Sequence, residues 1–156
     1  SEFSQAFNNH LLCNQVLVQA VVPGMKSEGY GRIINIISTS VKQPIAGLGV
    51  SNTIRGAVAS WSKTLSSELG LFGITVNNIL PGFTDTERLW SLIKTKSMEA
   101  NKEEETVVAN MKNQIPAGRF GTPEETAKAI AFLASPAAGY INGVNLAIDG
   151  GRLSCI

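Results

Sequence analysis

Histidine occurs once in this sequence, cysteine and tyrosine twice each, and aromatic residues make up only 6% of it. The two cysteines, Cys13 and Cys155, stand far apart and form neither a C-x-x-C pair nor a zinc-ligand spacing. Both a metal-organised fold and a disulfide framework are therefore disfavoured, and a reduced, cytoplasmic setting is expected. A chain of 156 residues can build a core without such staples. No apolar run reaches the length of a membrane span, and Ser1-Glu2-Phe3 opens no signal-peptide pattern. There is no initiator methionine, and the chain is expected to be an ordered portion or proteolytic product of a longer polypeptide. Charge of one sign is also lacking. The 13 basic and 12 acidic residues leave a net charge of +1, and Lys and Arg are scattered, so neither nucleic acid nor an anionic membrane is an expected partner. The acidic run Glu103-Glu104-Glu105 reads as a solvated helix face. Repeats and low-complexity segments are absent.

What is present is an alternation of helical and strand patterns. From Phe7 to Met25, apolar residues recur at helical spacing over most of the circumference, which predicts a largely buried helix stopped by Pro23-Gly24 and Glu28-Gly29. Arg32–Ile37 is a short β-branched run suited to a strand covered on both faces. A glycine- and proline-bearing loop, Pro44–Gly49, leads to a second long helix over Ser51–Leu69, with Gly70 and Gly73 at its stop. Ile74–Leu80 forms a second strand run, closed by Pro81-Gly82. The region Thr84–Gln114 is polar, amphipathic and helical in parts. Thr122-Pro123-Glu124-Glu125 opens another helix, with Thr122 at the N-cap and Glu125 completing a capping box. The last strand is Val144–Ile148, ending at Asp149-Gly150-Gly151. This order predicts an α/β fold with three parallel strands, adjacent in sequence order. Ligands in such sheets sit beyond the carboxyl ends of the strands, here after Ile37, Leu80 and Ile148.

Four segments carry a family likeness in the right order. They are Gly31-Arg32-Ile33-Ile34-Asn35-Ile36-Ile37-Ser38; Asn77 through Thr86, with Pro81-Gly82 at its centre; Gly118-Arg119-Phe120-Gly121-Thr122-Pro123-Glu124-Glu125; and Phe132-Leu133-Ala134-Ser135 with Ile141-Asn142-Gly143 and Asp149-Gly150-Gly151. Each is weak alone, but together they are specific. The chain resembles the short-chain dehydrogenase/reductase family, of the 3-oxoacyl-acyl-carrier-protein-reductase kind, over essentially its whole length. The resemblance implies the C-terminal half of a doubly wound, Rossmann-type parallel sheet. The family's glycine-rich turn, which cradles the cofactor pyrophosphate, does not occur in these residues.

The family reduces carbonyl compounds with NAD or NADP, using a tyrosine, a lysine four residues on, a serine and an asparagine. The resemblance places Ser38 at the serine. The tyrosine position falls thirteen residues later, on Ser51, and the lysine position on Arg55. On the first helix the asparagine position carries His10. Neither Tyr30 nor Tyr140 has a lysine four residues on. The implied catalytic set is thus Ser38, Ser51, Arg55 and His10, and only the serine is retained. A serine hydroxyl is a far weaker acid than a phenol, so Ser51 cannot simply take over proton donation; its bland alternative is a helix N-cap. Arg55 stays protonated and suits ribose or carbonyl binding, against the alternative of an interface ion pair. His10 can shuttle protons near neutrality, or be a hydrogen-bonded structural histidine. Pro81 and Gly82 would let backbone approach the nicotinamide, and Thr84 and Thr86 would bond its carboxamide; the alternative is a capped turn. The segment Glu87–Gln114 corresponds to a mobile substrate lid.

The expected function is a nicotinamide-dependent oxidoreductase for a small carbonyl or alcohol substrate. The rival is a non-catalytic family member that binds a nucleotide or metabolite, or acts as a structural partner. A serine hydrolase is disfavoured, since there is no G-x-S-x-G and no acid partner for the lone histidine. The resemblance also implies a homo-oligomer formed through the two long helices, whose Val16, Ala20, Val58 and Trp61 exceed what one sheet face needs to cover.

Overall fold

The computed structural model describes residues 1–155. Its centre is a three-stranded parallel sheet: β1, Gly31–Ile36; β2, Ile74–Pro81; and β3, Asn145–Ile148, in the order β1-β2-β3. The expected strands, their direction and their adjacency are all present, with ends displaced by one residue. Register runs from Gly31 opposite Ile74 to Ile36 opposite Ile79, and from Asn78 opposite Asn145 to Pro81 opposite Ile148.

Helices cover both faces. Ile33, Val76 and Leu80 turn towards α2 (Cys13–Glu28) and α3 (Gly49–Leu69), where they meet Val18, Val58 and Leu69. Ile34, Ile79 and Leu146 turn the other way, onto Leu133 of α6 (Pro123–Ala134). This two-sided cover is why apolar residues occur on both faces of the strands rather than on one face only. The polar region between β2 and α6 holds α4 (Glu87–Ala100) and α5 (Glu104–Lys112), which build a separate core around Leu89, Ile93, Met111 and Phe120.

The first helix departs from its expected bounds. It begins earlier, as α1 (Glu2–Phe7), widens into one π turn over Asn8–Leu12, and continues as α2 to Glu28. Pro23 does not stop it but lies inside it. Proline removes the bond to the carbonyl of Gln19, yet both residues are exposed and water can satisfy that oxygen. The stop is Gly29, in the left-handed conformation at φ 62°. Nor is the helix largely buried: Val18 alone is buried in α2, while Val16 is 64% and Leu17 58% exposed. Val58, expected on the same outer surface, is instead fully buried in the core.

Three asparagines cross the sheet as a ladder on the α3 side. Asn35 Nδ2 donates to Asn78 Oδ1 (3.1 Å) and to Ser62 Oγ (2.9 Å), and Asn78 Nδ2 donates to Asn145 Oδ1 (2.8 Å). Asn14 of α2 joins by donating to Asn35 Oδ1 at 3.4 Å. Buried amides are tolerated only when bonded, and these bonds couple α2 and α3 to all three strands. That coupling fixes where the first turns of α3 stand relative to the sheet edge.

Candidate active site

The first turns of α3 and the π turn before α2 enclose a cavity of about 300 Å³. Its polar lining includes Glu2, His10, Ser51 and Arg55, and Leu48, Val50 and Ile54 form its apolar wall. The bland reading of Ser51 as an N-cap does not hold: the helix starts at Gly49 with Leu48 at the cap, so Ser51 sits within the first turn. One helical turn later comes Arg55, on the same face. His10 arrives from the π turn, a widening that leaves backbone groups out of the regular ladder and re-aims side chains.

Arg55 is half-buried, and its Nη1 donates to the carbonyl of Ile36 at the end of β1 (3.3 Å). Burial pushes its pKa below the ordinary guanidinium value. His10 also lies below its ordinary value, first because burial penalises the cation and second because Arg55 repels it. The imidazole is therefore neutral at pH 7, beside a fixed positive charge. Such a pair can polarise and hydrogen-bond an oxygen-bearing ligand, and the neutral imidazole can accept a proton.

The remaining expected residues are not part of this cavity's lining. Ser38 follows β1 in extended conformation and caps a short turn at Thr39–Val41, its Oγ accepting from Ser40 N (3.1 Å). Pro81 ends β2 opposite Ile148, and Gly82 N donates to the Ile148 carbonyl (2.9 Å). A side chain at Gly82 would meet Asp149 Cα at 2.7 Å, so this glycine is required by strand-end packing whatever else approaches it. Thr84 donates to the Gly82 carbonyl (3.4 Å), and its backbone bridges to Gly121. Thr86 is the N-cap of α4, accepting from Leu89 N (3.4 Å) and donating to the Thr84 carbonyl (3.3 Å). Both threonine hydroxyls are thus engaged locally.

Sequence reasoning missed Ser40, whose buried hydroxyl has no hydrogen-bond partner among the described residues. The hydroxyl run Ser38-Thr39-Ser40 was its only signal. It also missed Glu2 as a lining residue, because α1 was not expected.

Relatives bear on this arrangement. The family model described as enoyl-(acyl carrier protein) reductase matches residues 1–152. The chain is 37% identical over 150 residues to the 3-oxoacyl-(acyl-carrier-protein) reductase FabG of Vibrio cholerae, covering 96% of this chain and 57% of that one. It is 38% identical over 136 residues to the NADPH-dependent reductase BacG of Bacillus subtilis, covering 85% and 51%. The crystal structure of L-sorbose reductase from Gluconobacter frateurii, complexed with NADPH and L-sorbose, superposes with a TM-score of 0.87 at 30% identity, covering 94% and 56%. The chain spans about half the length of the curated relatives it matches. Near-complete coverage by the family model, together with this level of identity, establishes that the chain belongs to the short-chain dehydrogenase/reductase family.

Proposed function

We propose that residues 1–156 carry the substrate-side and nicotinamide-side residues of an NAD(P)-dependent oxidoreductase acting on a small carbonyl or alcohol, in which serine and arginine stand at the family's tyrosine and lysine positions. The observation that carries this reading is the convergence of His10, Ser51 and Arg55 on one cavity. The relatives named as NADPH-dependent or complexed with NADPH support the cofactor class. The donor set fits the ribose and carbonyl end of such a cofactor complex. Arg55 is a half-buried cation whose only protein acceptor among the described residues is the Ile36 carbonyl. At the carboxamide end the fit is weaker, since Thr84 and Thr86 already bond backbone.

When bound, the cofactor supplies the hydride. The residues of this chain do the rest. Arg55 holds ribose hydroxyls or draws the substrate carbonyl oxygen towards its charge. Ser51 donates a hydrogen bond to that oxygen, and Ser38 orients the substrate from the end of β1. Neutral His10 relays a proton from water, replacing the phenol that this site lacks. The exposed apolar stripe of α2, including Val16 and Leu17, supports a homo-oligomer built through the first helix.

Cofactor titration of the full-length protein by nicotinamide fluorescence tests the reading. Hydrogen bonds to a charged group are worth about 1.5–3 kcal/mol, so Arg55→Ala is expected to weaken NADPH affinity by roughly tenfold or more. Ser51→Ala should weaken it less. Equal affinity in the two variants removes Arg55 from ribose binding, and a wild-type protein that binds neither NADH nor NADPH overturns the reading.

A further inference from the structure

A second cleft, of about 210 Å³, opens between the loop Gln43–Ala46 and the segment Arg152–Leu153 that follows β3. We propose that it is a carboxylate-binding subsite, anchored by Arg152 with Gln43 as an additional donor, and that the protein's substrate is a carbonyl compound bearing a carboxylate.

Arg152 has no counter-charge within salt-bridge distance among the described residues. Its Nε is buried and has no hydrogen-bond partner among the described residues. The neighbouring acid, Asp149, is already occupied: Oδ1 accepts from Gly151 N (3.0 Å) and Oδ2 from Leu153 N (2.8 Å), both within the turn. The one ion pair among the described residues joins Arg119 to Glu125, elsewhere in the molecule. The guanidinium is nonetheless held in place, stacked 4.3 Å from the centre of the Phe83 ring. A fixed planar fork whose donors are unmet among the described residues matches a carboxylate, which accepts two parallel N–H bonds.

The rest of the cleft agrees. Gln43 Oε1 accepts from the Ser154 hydroxyl (3.4 Å), which leaves the amide nitrogen to donate. Pro44, Ile45 and Leu153 give apolar walls, suited to the hydrocarbon body of an organic acid. A single cation among apolar walls favours a monoanionic carboxylate over a phosphate, which carries more charge and more bound water. The cleft lies past the carboxyl ends of the strands, where parallel sheets receive ligands. One loop serves both cavities: Gln43–Ala46 line this cleft, and Gly47 through Ser51 line the cavity of His10 and Arg55. A molecule anchored at Arg152 would lie against the same loop that continues into the lining of the His10 and Arg55 cavity. The substrate assignment rests on the reductase reading; carboxylate binding does not.

Calorimetric titration of the full-length protein with benzoate tests the subsite, with benzamide and inorganic phosphate as separate arms. Benzoate should bind, benzamide at least tenfold more weakly, and phosphate more weakly than benzoate. Arg152→Met and Arg152→Lys should each lower benzoate affinity at least tenfold. The lysine variant keeps the charge and stem, so it carries the test if the methionine variant does not fold. Equal binding of benzoate and benzamide, wild-type affinity in Arg152→Lys, or binding of phosphate without benzoate would each overturn the proposal. Benzoate binding in a protein without NADPH-dependent turnover would support the subsite and count only against the reductase reading.

Discussion

Arg55 and Arg119 place the same side chain in opposite circumstances. Arg119 lies in solvent just before α6, in a bidentate pair with Glu125 at 2.7 and 2.8 Å. Its pKa is raised by that hydrogen-bonded partner, and Glu125 is drawn down to about 2, chiefly by Arg119 and then by the Thr122 N–H. Glu125 also completes the capping box with Thr122, so the pair belongs to the machinery that starts a helix. Arg55 has no carboxylate partner among the described residues, is half-buried, lines a cavity, and has its pKa lowered by burial. A cation satisfied by its own chain has little left to offer a ligand. A cation held in a cavity with only one backbone carbonyl retains most of its donors.

The sharpest way to break this contrast is to place at the α3 site the tyrosine and lysine that the proposed register assigns to it. Ser51→Tyr combined with Arg55→Lys sets a phenol one helical turn from an ammonium, both on residues that line the cavity. A positioned general acid contributes on the order of 10²–10⁴-fold, so kcat/KM for NADPH-dependent carbonyl reduction should rise by about 10²-fold in steady-state assays. An unchanged rate would mean that proton donation is not what limits this site. A smaller effect is expected at the other arginine's helix. Thr122→Ala removes an N-cap and should cost about 1 kcal/mol of stability, read from the urea midpoint. NADPH affinity should stay within about twofold; a larger loss would erase the distinction between the two regions.

The smallest effect is a pH dependence. Because the folded pKa of His10 lies below its ordinary 6.5, the unfolded chain binds the proton more readily. Stability is therefore full above about pH 6.5 and declines as pH falls through that value towards the folded pKa. The unfolding midpoint should drop between pH 7.5 and 5.5, and His10→Gln should flatten that slope. Arg55→Ala should reduce it in part, through the second cause of the shift, while Arg119→Ala should not touch it. For Glu125 the sign is reversed. Its contribution is present above the ordinary 4.5 and lost as pH falls from there towards about 2, and it is small because the pair is exposed.

Much of the fold was legible because it follows from nearest-neighbour chemistry. β-branched runs gave the three strands to within one residue. Thr122, Pro123 and Glu125 gave the start of α6 outright, since a capping box is closed by atoms three residues apart. The order of α3 after β1 likewise set Ser51 and Arg55 one turn apart. Less legible was anything whose outcome lay with distant partners. Pro23 looked like a stop, but exposure of the turn before it lets water meet the orphan carbonyl. The outer face of α2 looked buried, but one sheet face and α3 cover only its Val18 side. The asparagines of β1, β2 and β3 carried no local signal of their pairing, and only register made them a ladder.

The sequence by itself determined the α/β alternation, the parallel order, the capped helix starts and the family, because these depend on residue type and spacing along the chain. Tertiary structure alone decided which charges stand together and which stand unmet. His10 meets Arg55 across a π turn and a helix, and Arg152 stacks on Phe83 with its Nε unbonded among the described residues. Their separations in sequence carry no information about such meetings. Burial, and the electrostatics that burial strengthens, arise only when the sheet brings remote segments to one edge.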